Sequence, residues 1–415
     1  MTTALLPKTR LLISRSACPR ELSDFAEWLL SERYTPAPIH LHLIYLDQAL
    51  ARVARPHDPR PRHVADLVRV FKPRGGAPPT RRKLFEGTRR AYVRFLRARG
   101  RLIEPEPKDR FTSLRRDYDQ YVVEVRGLSA SSRRQHADTI ADFLVRGVAS
   151  RDLRVLTQHD VEAFVVLRSR ELSRHSLQHV IAHVRSFLRF CYERRHLSSR
   201  LGEDIEAPRI YRGERPPRAL PWRTVQALLA SIDRAGKSGW RDYCILHLIA
   251  HYGLRPSEVV SLRFDSIDWE RAVLRVTQHK TRSALTLPLA PATMRVLRQY
   301  LAVERERQGR AHPELFLRAR CPNGPLLRTA VCDIFEKRMR AAKLGITSDA
   351  YSLRHAFAMH LLARGVGVKL IGDLLGHRSL DTTCTYLRLN ATALRGVALD
   401  VPRNSARSGG RHVHA

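Results

Sequence analysis

Apolar residues recur at helical spacing through most of this chain. Phe25, Trp28 and Leu29 fall on one face of a first helix, and Leu41, Ile44, Tyr45 and Leu50 on one face of a second. Leu84 to Leu102 traces a longer, arginine-laced third. The segments P-H-D-P-R-P-R and K-P-R-G-G-A-P-P between them read as loops from their Pro and Gly content, and I-E-P-E-P-K-D-R at 103–110 as a linker. Helical periodicity then resumes to about residue 207, and Pro208 to Pro221 forms an extended, basic strap. Beyond it the pattern changes. Helices over Thr224–Ile232 and Arg241–His251 precede strand-like stretches near Ala272–Thr277 and Leu285–Leu289, after which helices return. The fold class is therefore mainly α with a small antiparallel β-sheet (α+β). Its divisions are two helical regions at 1–105 and 111–207, a linker at 208–221, an α+β domain at 218–402 and a disordered basic tail at 403–415.

The two helical regions resemble each other. Tyr118, Tyr121 and Arg126 lie 93 residues after Phe25, Trp28 and Arg33, and the run from Arg185 to Leu197 lies 95 after the run from Arg90 to Leu102. A duplicated bundle of about 90 residues accounts for both offsets. A chance match between two amphipathic bundles accounts for them equally well. In the second region S-A-S-S-R-R-Q-H and S-R-H-S-L-Q-H put Ser ahead of basic residues at expected helix starts. Arg133, Arg134, Arg174 and His175 are thus candidate phosphate contacts, and a solvated helix face explains each of them singly just as well.

The densest chemistry lies between Ser348 and Leu389. From Leu353 to Leu362 the chain is apolar on nearly every side of a helical wheel, as a buried helix is, yet it carries Arg354. An unpaired buried guanidinium is costly, so Arg354 needs an anion. The helix is expected to stop near Gly365, and a second, with Val368, Ile371, Leu374 and Leu375 on its apolar side, at Gly376. His377 follows, then Ser379 as an N-cap, and nine residues after His377 comes Tyr386. An Arg, a His and a Tyr from three successive short helices suit a phosphate site with a nucleophile.

Charge identifies the kind of phosphate. The chain holds 74 Lys and Arg against 40 Asp and Glu, a net +34, which makes nucleic acid the leading partner and an anionic membrane surface the lesser one. Cysteines 18, 191, 244, 321, 332 and 384 show no metal-ligand spacing and read as free thiols of a reducing cytoplasm. No segment has the length of a signal core or a membrane span.

Two further clusters complete the set. In H-Y-G-L-R-P-S-E-V-V, Arg255 precedes a helix start at Pro256, and Glu258 falls close enough to orient it. Lys280 sits in the turn of the hairpin V-L-R-V-T-Q-H-K-T-R-S-A-L-T-L-P-L. Only nine of the 74 basic residues are lysine, and lysine, unlike arginine, can give up a proton. A solvated turn residue is the plainer explanation of Lys280 alone.

G-L-R-P-S-E-V, Q-H-K-T before L-P-L, S-L-R-H-A-F-A-M-H-L-L, L-L-G-H and T-C-T-Y together resemble the tyrosine recombinase family, the phage integrases and Xer-type resolvases. The resemblance covers Arg218 to Pro402 well and a core-binding, SAM-like domain at 111–207 more loosely. It implies a site-specific DNA recombinase that cleaves and rejoins strands through a 3′-phosphotyrosyl intermediate, with no cofactor, no metal and no ATP. It implies Tyr386 as nucleophile, Arg255 and Arg354 on the non-bridging oxygens and Lys280 as general acid. His377 would bind the phosphate and manage the nucleophile's proton, with Glu258 and His355 in support. Implied partners are double-stranded DNA and further copies of the chain as a tetramer on DNA, with or without other recombinases, in the cytoplasm at the nucleoid and not at a membrane. One position departs from the family. Tyr351 stands where it usually has His, and a phenol is no base at neutral pH, so any base role is expected to rest on His377. Tyr351 reads equally as a packing residue. Residues 1–105 resemble the accessory or arm-binding modules of larger integrases, and a duplicated bundle there suits DNA or a neighbouring protomer alike. Leu394, Val397 and Val401 past Tyr386 resemble the segment that docks on an adjacent subunit, packing in cis being the alternative.

Overall fold

Proline opens most of the early helices, where its fixed φ suits the first turn and its missing N–H is not needed. The computed structural model describes residues 5–52, 62–73, 75–103, 110–149, 151–211, 218–278, 283–309, 312–319, 323–345, 348–377, 379–384 and 386–387. Lys280, Cys321, parts of both expected linkers and everything after residue 387, including Leu394, Val397, Val401 and the tail, lie outside the described residues. Contacts divide the chain into two units, one of Pro7–Phe25 with His40–Glu214 and the other of Ala26–Ile39 with the chain from Arg215 onward.

The helices of the amino-terminal half are α1 (Pro7–Arg15), α2 (Pro19–Ser31), α3 (Pro36–Leu50), α4 (Val64–Val70), α5 (Pro79–Ala98), α6 (Thr112–Glu124), α7 (Ala130–Phe143), α8 (Gln158–Ser169) and α9 (Arg174–Glu193). The serines expected at helix starts cap them, since Ser129 accepts from the Ser132 amide and Ser173 from the Ser176 amide. Thr157 and Asp160 close a reciprocal capping box on α8. Aromatic rings fill the core of α6 to α9, where Phe143 meets Phe164 edge-on at 5.1 Å.

The second unit carries α10 (Trp222–Ala230), α11 (Gly239–Tyr252), α12 (Pro256–Val260), α13 (Pro291–Tyr300), α14 (Arg328–Ala341), α15 (Tyr351–Ala363), α16 (Val368–Leu375) and α17 (Leu380–Cys384). With the first two-residue strands, β1 (Arg62–His63) and β2 (Leu102–Ile103), counted in chain order, its sheet is β3 (Ile267–Asp268), β4 (Val273–Gln278) and β5 (Ser283–Pro288), antiparallel in that order. Leu274 faces Leu287 and Val276 faces Leu285 in register, and Leu274, Val276 and Gln278 point inward while Arg275 and Thr277 are exposed. The apolar core joins α11, the sheet, α13, α14 and the start of α15. A smaller cluster of Phe357, Ala358, Ile371, Leu375 and Tyr386 lies beneath α15 and α16.

Three details depart from the sequence pattern. The third helix begins at Pro79 and ends at Ala98 rather than running to Leu102, because Gly100 turns left-handed (φ 65) and Leu102 pairs in parallel with Arg62. The helix α4 and the strand β3 were not expected, and both are too short to show a periodicity. Five described cysteines, at 18, 191, 244, 332 and 384, are free thiols. Among the described residues no helix is long and apolar enough to cross a membrane.

Gly253 lets three helices meet closely. It ends α11 with φ 63, and a Cβ there would lie 2.6 Å from Phe357 of α15 and 2.7 Å from Leu375 of α16. Gly253→Ala is expected to cost about 2–4 kcal/mol in urea unfolding, from the left-handed backbone and the overpacking together. Gly345→Ala shares the positive φ (63) but meets open space, and is expected to cost only about 1 kcal/mol. Equal costs would show that the close packing at Gly253 is not limiting.

Candidate active site

Arg354 is 4 % exposed and lies in the first turns of α15. Its Nη1 donates to the Gly253 carbonyl, left bare by the end of α11, and its Nη2 donates to the Leu375 carbonyl at the end of α16, 2.7 Å away. Glu258 supplies the anion. This carboxylate is 2 % exposed, accepts from the guanidinium and from the backbone amide of Arg255 (2.8 Å), and stands 3.8 Å from Arg354. Among the described residues these two guanidiniums share one carboxylate, which leaves the set with a net positive charge. Burial, then the charge of Arg255, bring the Arg354 pKa down to about 10, and Glu258 opposes the shift. Arg354 remains a cation at neutral pH.

Gly376 caps α16 in the left-handed conformation (φ 61), and the His377 amide closes the turn on the Gly372 carbonyl at 2.9 Å. His377 Nε2 lies 3.3 Å from Arg354 Nη2, and Nδ1 lies 2.8 Å from Thr383 Oγ1. Arginine only donates, so Nε2 accepts here and Nδ1 carries the proton toward Thr383. In the other tautomer the Thr383 hydroxyl donates to Nδ1 and Nε2 carries the proton, available to an incoming oxygen once the contact with Arg354 is given up. Gln278, the last residue of β4, packs against Gly376, so the strand leading to Lys280 ends beside this turn.

Tyr386 is 4 % exposed within the small apolar cluster, and its hydroxyl lies 2.9 Å from His355 Nδ1. Burial pushes the phenol pKa up, while Arg354 and Arg255 pull it back. His355 is held below the usual imidazole range by burial and then by Arg354, against a weaker pull from Asp349. It is accordingly neutral at neutral pH, able to accept the phenol's hydrogen bond, and loses that ability only as pH falls through its lowered pKa.

The structure thus brings Arg255, Glu258, Arg354, His355, His377 and Tyr386 together. Tyr351 opens α15, half-buried and near enough to act on the Arg354 charge. Lys280 lies outside the described residues. Arg133, Arg134, Arg174 and His175 belong to the other unit; Arg133 pairs with Asp119 at 3.0 Å, and Arg134, Arg174 and His175 are exposed. Thr383 was not anticipated, and its position six residues after His377, on the turn of α17 facing back, is the only sequence signal for it. The hydrogen bond of Tyr386 goes to His355, whereas the expected proton manager was His377.

Residues 219–393 match the Phage integrase family, and residues 116–195 match its N-terminal SAM-like domain. An integrase/recombinase of Sinorhizobium fredii is 30% identical over 289 residues, 69% of this chain and 70% of that one. The tyrosine recombinase XerD of Corynebacterium glutamicum is 29% identical over 286 residues, 66% of this chain and 92% of the relative. The crystal structure of the XerH site-specific recombinase bound to a palindromic difH substrate shares the fold, with a TM-score of 0.55 and 18% identity over 68% of this chain and 83% of that one.

An uncompensated charge in a buried site predicts anion linkage. Glu258→Gln removes the shared carboxylate and is expected to destabilise the second unit by about 3 kcal/mol. Millimolar inorganic phosphate is expected to restore part of that loss in thermal unfolding. A variant indifferent to phosphate would mean that no anion enters between Arg255 and Arg354.

Proposed function

The chain belongs to the phage integrase family of tyrosine recombinases, and from that membership we propose that it cuts and rejoins double-stranded DNA at specific sites, with Tyr386 as nucleophile. The observation that supports this most directly is the charge count at the site. Among the described residues, Arg255 and Arg354 against Glu258 leave a net positive charge beside a buried phenol, a setting that suits the negative charge of a phosphodiester.

Each residue has its own part in the reaction. The Tyr386 oxygen bonds to phosphorus as its proton passes to His355 Nδ1. Arg255 and Arg354 hold the non-bridging oxygens as charge builds on them. His377, released by Thr383 to donate from Nε2, binds one of those oxygens. The P–O5′ bond breaks, and Lys280 protonates the leaving 5′-oxygen. The 3′-phosphotyrosyl bond stores the energy of the broken bond, so religation uses the same residues in reverse, with neither ATP nor metal. Residues 111–207 act as the core-binding domain, with Arg133, Arg134, Arg174 and His175 on the DNA backbone, and 218–402 as the catalytic domain. The active assembly is a tetramer on DNA, in the cytoplasm.

A nicked suicide substrate made from the DNA flanking the gene tests the nucleophile. Wild type is expected to form a covalent adduct without metal, Tyr386→Phe to form none, and Tyr351→His to match or exceed wild type. An adduct from Tyr386→Phe would overturn the assignment. His355 is tested separately, because Asn places an acceptor where Nδ1 stands but cannot take a proton. His355→Asn is expected to slow adduct formation about 100-fold, with recovery at high pH as the phenol ionises. An unchanged rate would return the proton to another group.

A further inference from the structure

Three helices of residues 19–103 recur at nearly constant offsets in residues 112–197. The helices α2 and α6 are each 13 residues long and begin 93 positions apart, at Pro19 and Thr112. The helices α5 and α9 are each 20 residues long and begin 95 apart, at Pro79 and Arg174. Between them α3 and α7 begin 94 apart, at Pro36 and Ala130.

The correspondence extends to side chains. The offsets carry Phe25 onto Tyr118, Tyr92 onto Phe187 and Phe95 onto Phe190. Phe25 and Tyr92 meet edge-on at 5.5 Å and 87°, Tyr118 and Phe187 at 5.2 Å and 83°. Phe25 and Phe95 tilt at 60° and 5.4 Å, Tyr118 and Phe190 at 56° and 5.4 Å. Each long helix ends in a left-handed residue, Gly100 (φ 65) or Arg195 (φ 60), 95 apart. The next amide then closes the same turn, Arg101 on Leu96 and His196 on Cys191, both at 2.8 Å. A left-handed arginine is disfavoured, so this shared ending is not what amphipathic periodicity alone would produce. His42 and His136, 94 apart, also reach matching places, His42 bonding Thr88 at 3.0 Å and the His136 ring lying 4.0 Å from that of His183, which is 95 after Thr88.

We propose that residues 19–103 are an internal duplicate of the 112–197 bundle and form a second module that grips double-stranded DNA through the basic side of α5. The DNA half of this inference rests on the proposed recombinase function. The two copies have diverged in charge while keeping their frame. Residues 19–103 hold 18 Lys and Arg against 8 Asp and Glu, and residues 112–197 hold 15 against 10. Phe85, Thr88, Ala91, Tyr92, Phe95 and Leu96 bury one side of α5. Lys83, Arg90 and Arg97, seven residues apart, run along another side and are exposed. Among the described residues the acid paired with this row is Glu86, 3.4 Å from Arg90. A second copy of this chain would bring one cationic row against another, so a polyanion is the better fit. In the other copy the same three places hold Gln178, Arg185 and Tyr192, so the duplicate contributes charge that its counterpart lacks.

The test uses the full chain on a duplex extended well beyond the cleavage site in the DNA flanking the gene. Hydroxyl-radical footprints and the salt dependence of binding are compared for wild type and a Lys83→Glu, Arg90→Glu, Arg97→Glu triple variant. The variant is expected to lose part of the footprint and to lower the slope of log K against log salt by about 2–3, one step per lost phosphate contact. Its adduct yield on the nicked substrate at low salt is expected to stay at the wild-type level. The milder triple Gln variant, expected to shift the slope in the same direction, covers the case in which the Glu variant fails to fold. An unchanged footprint and slope would overturn the inference, as would a loss of self-association without DNA in place of either change. Failure of wild type to form any adduct would instead count against the recombinase function, and is measured in a separate assay.

Discussion

Arg354 commits its two terminal nitrogens to backbone carbonyls at the ends of two different helices, Gly253 after α11 and Leu375 in α16. Helix ends leave carbonyls without intrahelical partners, and a buried guanidinium supplies the donors they need. One side chain thus joins α11, α15 and α16 at the level where their chemistry emerges. The arrangement depends on backbone that turns sharply, which is why Gly253 and Gly376 both take left-handed conformations there. Glu258 then holds Arg255 at the start of α12 in the same neighbourhood. The cost of burying these charges is offset by near-complete hydrogen bonding and by a carboxylate shared between two cations, a balance that a bound phosphate would complete.

The nucleophile candidate is placed by apolar packing rather than by this polar frame. Tyr386 belongs to the cluster of Phe357, Ile371 and Leu375, and α17 is only a short turn of chain that delivers it there. His377 and Tyr386 therefore answer to different forces, the first to Arg354 and Thr383, the second to ring burial and one hydrogen bond to His355.

Much of this was legible in the sequence. A single charged residue in an all-round apolar helix marked Arg354, and Gly376 marked both the end of α16 and the place of His377. The β4–β5 hairpin was legible from alternation, whereas β3 was not, since two residues carry no period. Thr383 and the contact of His355 with Tyr386 were hidden because hydrogen bonds between side chains of different helices depend on packing angles that periodicity does not encode. The offsets of 93 and 95 residues were visible but ambiguous. Matching ring geometry and a shared left-handed helix ending support the proposed duplication, and neither is written in hydrophobic spacing.

The position of Tyr351 bears on how proton transfer is shared. On an α-helix, residues four apart lie one above the other on the same side, so Tyr351 and His355 stand one turn apart along α15. A histidine at 351 would approach the phosphate from the level of Arg354, as the family pattern implies. The histidine at 355 instead meets the phenol that is to lose a proton. On the proposed reading neutral imidazole at that point is the acceptor, and it adds no third positive charge beside Arg255 and Arg354 until the proton is transferred. On that reading the phenol at 351 exchanges one hydrogen-bond donor for another and leaves the base at 355, which is why the two substitutions, at 351 and at 355, differ so much in expected consequence.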